Sequence, residues 1–150
     1  NHDHVWRPAS YWAYTQLIKQ ARGQSMQVSV ESETFDMPGY AIDDTSQYTG
    51  KNAVPFVDSA AAWDKENERL TVFVINRSET EEYPLTVDMR GFEGYSKISH
   101  EEMYSKDFEL KSRFGADWKA PEVNKSAKVE GGLATTKLQP LSWNVITFTK

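Results

Sequence analysis

The chain has 150 residues, no cysteine, and 22 Asp plus Glu against 17 Lys plus Arg. That length supports one domain with its own core plus an appendage, and is too short for a sandwich joined to a whole barrel. Disulfides, thiolate zinc sites and a cysteine nucleophile are excluded, and a net charge of −5 argues against nucleic acid and anionic membranes as partners.

The first predicted element is a helix. Over residues 8–23 the apolar positions Tyr11, Tyr14, Leu17, Ile18 and Ala21 recur at helical spacing, with Pro8 at the start, Lys19 and Arg22 near the end and Gly23 as the stop. Residues 1–25 hold Arg7, Lys19 and Arg22 against Asp3 alone, so the remainder carries all of the net negative charge. The period then changes to two, with Met26, Val28 and Val30 alternating with polar residues as in a strand with one buried face. Residues 36–55 collect Asp, Gly, Thr, Ser, Pro and Asn around isolated Tyr40, Ile42 and Tyr48, which reads as an ordered surface loop long enough to be a flap.

Residues 56–63 and 69–76 are strand-like and joined by the polar stretch 64–68, so an antiparallel hairpin is the cheapest pairing. Further strands are expected at 83–89, 96–104, 127–130, 133–138 and 141–148, with 105–126 as a second long connection. Short strands at this spacing predict a mainly β fold: an antiparallel, jelly-roll-like β-sandwich preceded by one N-terminal α-helix. No window approaches the roughly 18–20 apolar residues of a membrane span. The start Asn1-His2-Asp3-His4 has no basic-then-apolar signal pattern and no initiator Met, which leads us to expect a piece of something longer.

Five segments then carry a resemblance. They are Trp6-Arg7-Pro8-Ala9-Ser10-Tyr11-Trp12-Ala13-Tyr14, Ala21-Arg22-Gly23, Val54-Pro55-Phe56-Val57-Asp58, the run Leu70 to Arg77, and the run Leu138 to Ile146. In that order they resemble the C-terminal pattern of glycoside hydrolase family 51 α-L-arabinofuranosidases. The resemblance implies that residues 1–25 are the last helix of a (β/α)8 barrel whose remainder precedes Asn1, and that 26–150 are the C-terminal β-sandwich. It also implies a retaining parent hydrolase that releases terminal non-reducing α-L-arabinofuranosyl units from arabinan or arabinoxylan oligosaccharides, with its catalytic glutamates on barrel strands upstream. Parents of this kind are often bacterial, intracellular and oligomeric, which favours a cytoplasmic location and a homo-oligomer. Pro8 stands where many members have a glutamine that reaches the sugar, and proline offers no side-chain donor or acceptor for that contact.

Candidate chemistry within the chain is sparse. Retaining glycoside hydrolysis needs two carboxyl groups about 5–5.5 Å apart. The adjacent acids Asp43-Asp44, Glu81-Glu82 and Glu101-Glu102 point to opposite faces in a strand or into solvent in a loop, so no catalytic residue is assigned. His2-Asp3-His4 falls short of the three or four ligands of a metal site, and Asp64, Glu66, Asn67 and Glu68 read as a hairpin turn rather than a calcium loop, so neither metal nor cofactor is assigned.

An indole can stack on a sugar ring. Trp63 and Trp143 lie in strand runs and are expected in the core, while Trp6 and Trp12 flank the helix start. Trp6, Arg7 and the loop residue Trp118 are the substrate-contact candidates. The expected role is a structural accessory domain, inactive alone, that meets the catalytic barrel through Tyr14, Leu17 and Ile18. A free-standing carbohydrate-binding module is the alternative.

Overall fold

A computed structural model describes residues 6–41, 46–107, 110 and 119–150. Helix α1 (Ala9–Gln20) is followed by β1 (Gln24–Met26), β2 (Thr34–Met37), β3 (Tyr40–Ala41), β4 (Gln47–Tyr48), β5 (Lys51–Pro55), β6 (Val57–Asp64) and β7 (Arg69–Asn76). The chain continues through β8 (Tyr83–Asp88), β9 (Lys97–Met103), β10 (Glu122–Val123), β11 (Lys128–Glu130), β12 (Leu133–Leu138) and β13 (Ser142–Thr149).

Two antiparallel sheets form the sandwich: six strands in the order β1-β6-β7-β13-β9-β10, and three in the order β11-β12-β8. Strand alternation explains the core. Leu70, Val72 and Val74 of β7, and Ile146 and Phe148 of β13, point inward against Ala134 and Leu138 of β12, with Leu85, Val87 and Val129 packed around them. Fully burying such a side chain contributes roughly 1.5–3 kcal/mol.

The hairpin expected at 56–76 is present, its ladder running from Val57↔Asn76 to Asp64↔Arg69. Its turn is fixed by Asp64, whose carboxylate accepts from the Asn67 backbone at 3.2 Å and from Asn67 Nδ2 at 2.8 Å. Those hydrogen bonds, the side-chain one foremost, hold the Asp64 pKa below its ordinary value. Both oxygens are engaged by protein donors, so the turn is closed by Asn67 and by Arg69 at 3.4 Å.

Several expectations are corrected. The strand expected at 26–30 lies instead at Gln24–Met26, and Val28 and Val30 are exposed. Beyond Met26↔Ala61 the ladder with β6 ends. The chain meets that edge again through bonds from Val57 N to Ser32 Oγ and from Phe56 N to the Glu33 carbonyl. The described residues of 36–55 are no plain loop: β2 pairs with β5 and β3 with β4. Gly39 and Gly50 let these strands cross, since a Cβ at either would sit 2.8 Å from the Tyr48 carbonyl or 2.5 Å from the Met37 carbonyl. The connection 105–126 contains β10, which extends the large sheet at β9.

The segments that carried the resemblance meet in space as staples. Asn76 is buried, and its Nδ2 donates to the carbonyls of Glu81 and Gln139, both at 2.9 Å. Arg77 donates to the Pro55 carbonyl at 2.9 Å and to Asp58 Oδ2 at 3.0 Å. Motif residues far apart in sequence thus lock one end of the sandwich.

Candidate docking interface

Helix α1 begins where Pro8, extended at φ −68°, ψ 167°, presents its carbonyl to the Tyr11 amide. It ends at Ala21, and Gly23 follows at φ 82°. A side chain there would collide with the Trp63 carbonyl, 2.2 Å from an added Cβ, so glycine is what lets the helix exit run directly into β1 against β6.

The helix lies over the outer face of the six-stranded sheet with Gln16 innermost, flanked by the half-buried Trp12, Ala13 and Gln20. Gln16 is 8% exposed. Its Nε2 donates to Glu101 Oε2 at 2.9 Å, and its Oε1 accepts from Trp143 Nε1 at 3.0 Å. Trp143 stacks on Phe73 at 5.9 Å between centroids and 27° between planes. Trp63 packs with the inter-sheet core as expected, donating to the Tyr95 hydroxyl at 3.0 Å. Trp143 does not. It lies on the opposite face of β13, beneath α1, because it alternates with the inward Ser142 and Asn144.

The stripe of Tyr11, Tyr14, Leu17 and Ile18 faces away. Tyr14 is 66% exposed, Leu17 39% and Ile18 49%, and Tyr11 beside them is also exposed. The described part of the sandwich therefore does not cover this stripe. Exposed apolar side chains at helical spacing make this face a candidate interaction surface.

At the helix start Trp6 is exposed, and the Arg7 guanidinium stands 5.8 Å from the Tyr11 ring centre and 5.9 Å from that of Trp12. Trp6 and Arg7 thus share the end of α1 that leads upstream. Trp118, Asp43-Asp44 and His2-Asp3-His4 lie outside the described residues. Glu101 and Glu102 sit on opposite faces of β9, one bonded to Gln16 and the other to Asn124. Glu82 is bound to Lys137 and Gln139, and the Lys137 hydrogen bond leads in depressing its pKa. No group of three or more His, Asp or Glu suited to a metal occurs among the described residues. No described helix is long and apolar enough to cross a membrane.

Sequence reasoning missed Gln16, Glu101 and Trp143. Their partnership spans 85 and 127 positions, and the one local signal was a glutamine opposite the apolar stripe.

Comparison with known proteins agrees with this geometry. A family model described as the α-L-arabinofuranosidase C-terminal domain matches residues 1–142. The chain is 28% identical to an intracellular exo-α-(1→5)-L-arabinofuranosidase of Halalkalibacterium halodurans, over 97% of this chain and 27% of that protein. It is 29% identical to intracellular exo-α-(1→5)-L-arabinofuranosidase 1 of Bacillus subtilis, with the same coverages of 97% and 27%. Among solved structures, the α-L-arabinofuranosidase of Thermotoga maritima in complex with arabinose superposes with a TM-score of 0.81 at 17% identity, covering 100% of this chain and 30% of that one. That likeness concerns the fold. The chain spans about 27% of the length of the curated relatives it matches.

Proposed function

Since the chain belongs to the α-L-arabinofuranosidase C-terminal domain family, we propose that it is the packing domain of a larger arabinofuranosidase and that α1 is the element meeting the catalytic part. The observation carrying this is the outward apolar face of Tyr14, Leu17 and Ile18 on a helix held to the sandwich from its other side through Gln16. Relatives several times longer than this chain supply a body of protein for such a face to cover.

On this reading residues 1–25 contribute the closing helix of the catalytic barrel and 26–150 the sandwich, with α1 shared between them. The parent releases terminal non-reducing α-L-arabinofuranosyl residues from arabinan or arabinoxylan oligosaccharides, in the cytoplasm; relatives named as intracellular exo-α-(1→5)-L-arabinofuranosidases support the group released and the compartment. The chain contributes stability and orientation rather than the reacting carboxyl groups. Trp6 and Arg7, at the upstream end of α1, are its proposed glycan contacts, with Trp118 a third.

The test uses this chain and the separately produced catalytic part of its parent. The chain alone leaves p-nitrophenyl α-L-arabinofuranoside unhydrolysed. It associates with the catalytic part at concentrations up to about 1 mM, the effective concentration a short connection supplies, and raises that part's melting temperature. Enzyme-like hydrolysis by the chain alone, or no association across that range, refutes the proposal. If light scattering instead shows the chain pairing with a second copy through α1, the face belongs to an oligomer contact.

A further inference from the structure

The inward face of α1 is the unexpected one. Hydrophobic burial is non-directional: acting alone it could seat either Tyr14, Leu17 and Ile18 or Trp12 and Ala13 on the sheet, where Phe73 and Val145 are already apolar. Hydrogen bonds are directional and select one rotation. The socket beneath Gln16 offers one acceptor, Glu101 Oε2 on β9, and one donor, Trp143 Nε1 on β13. The two strands are neighbours in register, with Trp143 opposite Met103 and Val145 opposite Glu101. The indole is held by its stacking on Phe73, so its N–H has a fixed direction. An amide, with a donor at one end and an acceptor at the other, answers both groups at once. Turning the helix by one residue, about 100°, would bring Thr15 or Leu17 to the socket, and neither supplies a donor and an acceptor at that reach.

We propose that Gln16 is a positioning residue: by pairing its amide with Glu101 and Trp143 it fixes the rotation of α1 about its axis and so turns the Tyr14, Leu17 and Ile18 face away from the sandwich, toward its partner. The consequence for docking rests on the function proposed above. The geometry of the socket does not.

A charge swap tests this. Gln16→Glu places a second carboxylate against Glu101, and Glu101→Gln in the same chain restores one donor and one acceptor in reversed order, with the position-16 carboxylate still accepting from Trp143. Amide hydrogen exchange over residues 12–20 and Trp143 fluorescence are read at neutral pH. Gln16→Glu is expected to lower helix protection by about tenfold or more, through loss of the hydrogen bond to the Glu101 carboxylate, and the double variant to return to within about twofold of wild type, since a donor again faces an acceptor there. A role limited to filling space would not be rescued at position 101. Unchanged protection in Gln16→Glu, or a double variant no better than the single, overturns the proposal. Capture of the catalytic part is followed with the same three proteins. If wild type captures nothing while the exchange pattern holds, the docking reading fails and the socket stands. If wild type and Gln16→Glu capture equally, the positioning role fails.

Discussion

Replacing His100 with leucine probes the polar connection between the two sheets. The ring is 1% exposed. Its Nε2–H donates to Asn144 Oδ1 at 2.9 Å, and Nδ1 accepts from the Thr136 hydroxyl at 2.8 Å, so a residue of β9 is bonded to β13 in its own sheet and to β12 in the other. Asn144 Nδ2 donates to Ser142 Oγ at 2.8 Å, which turns the amide oxygen toward the ring and sets the tautomer. Leucine leaves that oxygen without its donor, whereas Thr136 keeps Ser126 Oγ at 2.9 Å. An orphaned buried acceptor costs about 1–3 kcal/mol. The added apolar burial offsets part, leaving a net loss of about 1–2 kcal/mol. At about 2–4 °C per kcal/mol for a domain of this size, the melting temperature falls by roughly 2–8 °C.

Asn144→Leu in the same chain removes the orphaned acceptor. The double variant is therefore expected to lose less than the two singles together, with a coupling of about 1 kcal/mol or more. Urea melts of the four proteins measure it. Singles that add to within about 0.5 kcal/mol, or a His100→Leu protein as stable as wild type, would refute the reasoning.

The pH dependence follows from the same burial. Desolvation is the largest influence on His100 and pushes its pKa below the ordinary 6.5, against weaker opposite pulls from the Asn144 hydrogen bond and Glu102. The unfolded chain then takes up a proton that the folded one resists. The associated stability is complete above pH 6.5 and is lost as pH falls from there through the lower folded value. His100→Leu should remove that slope.

Three further outcomes are expected. Converting Tyr14, Leu17 and Ile18 together to glutamine leaves the melting temperature of the chain nearly unchanged. It weakens binding to the catalytic part by about 3 kcal/mol, roughly a hundredfold, because each side chain has about half of its 1.5–3 kcal/mol of burial still to gain; titration calorimetry showing undiminished binding would count against α1 as the contact. Thr71 is buried on β7 with its hydroxyl oxygen lacking a partner, so Thr71→Val should stabilise by about 1 kcal/mol in a thermal melt. Gly23→Ala should destabilise by at least about 1 kcal/mol, since φ is positive and the new Cβ meets the Trp63 carbonyl. An alanine variant that melts with wild type would mean the helix exit is not held at β6.

Much of this domain was legible in the sequence because its signals are local. The 3.6-residue period at Tyr11, Tyr14 and Ile18, the proline and glycine at the helix limits, and the two-residue alternation of Leu70, Val72 and Val74 each act over one element. They sufficed for a helix, a hairpin and a sandwich. The strands described within residues 34–55 were not legible: they pair with one another rather than with the core, and backbone ladders leave no apolar alternation behind.

The tertiary structure alone decided which way the helix faces. An apolar stripe says that a surface will be covered, not by what, and the pattern of α1 fits a roll toward the sandwich as well as a roll away from it. The choice was made by a glutamine, a glutamate and a tryptophan from three distant segments, whose hydrogen bonds have direction where hydrophobic contact has none.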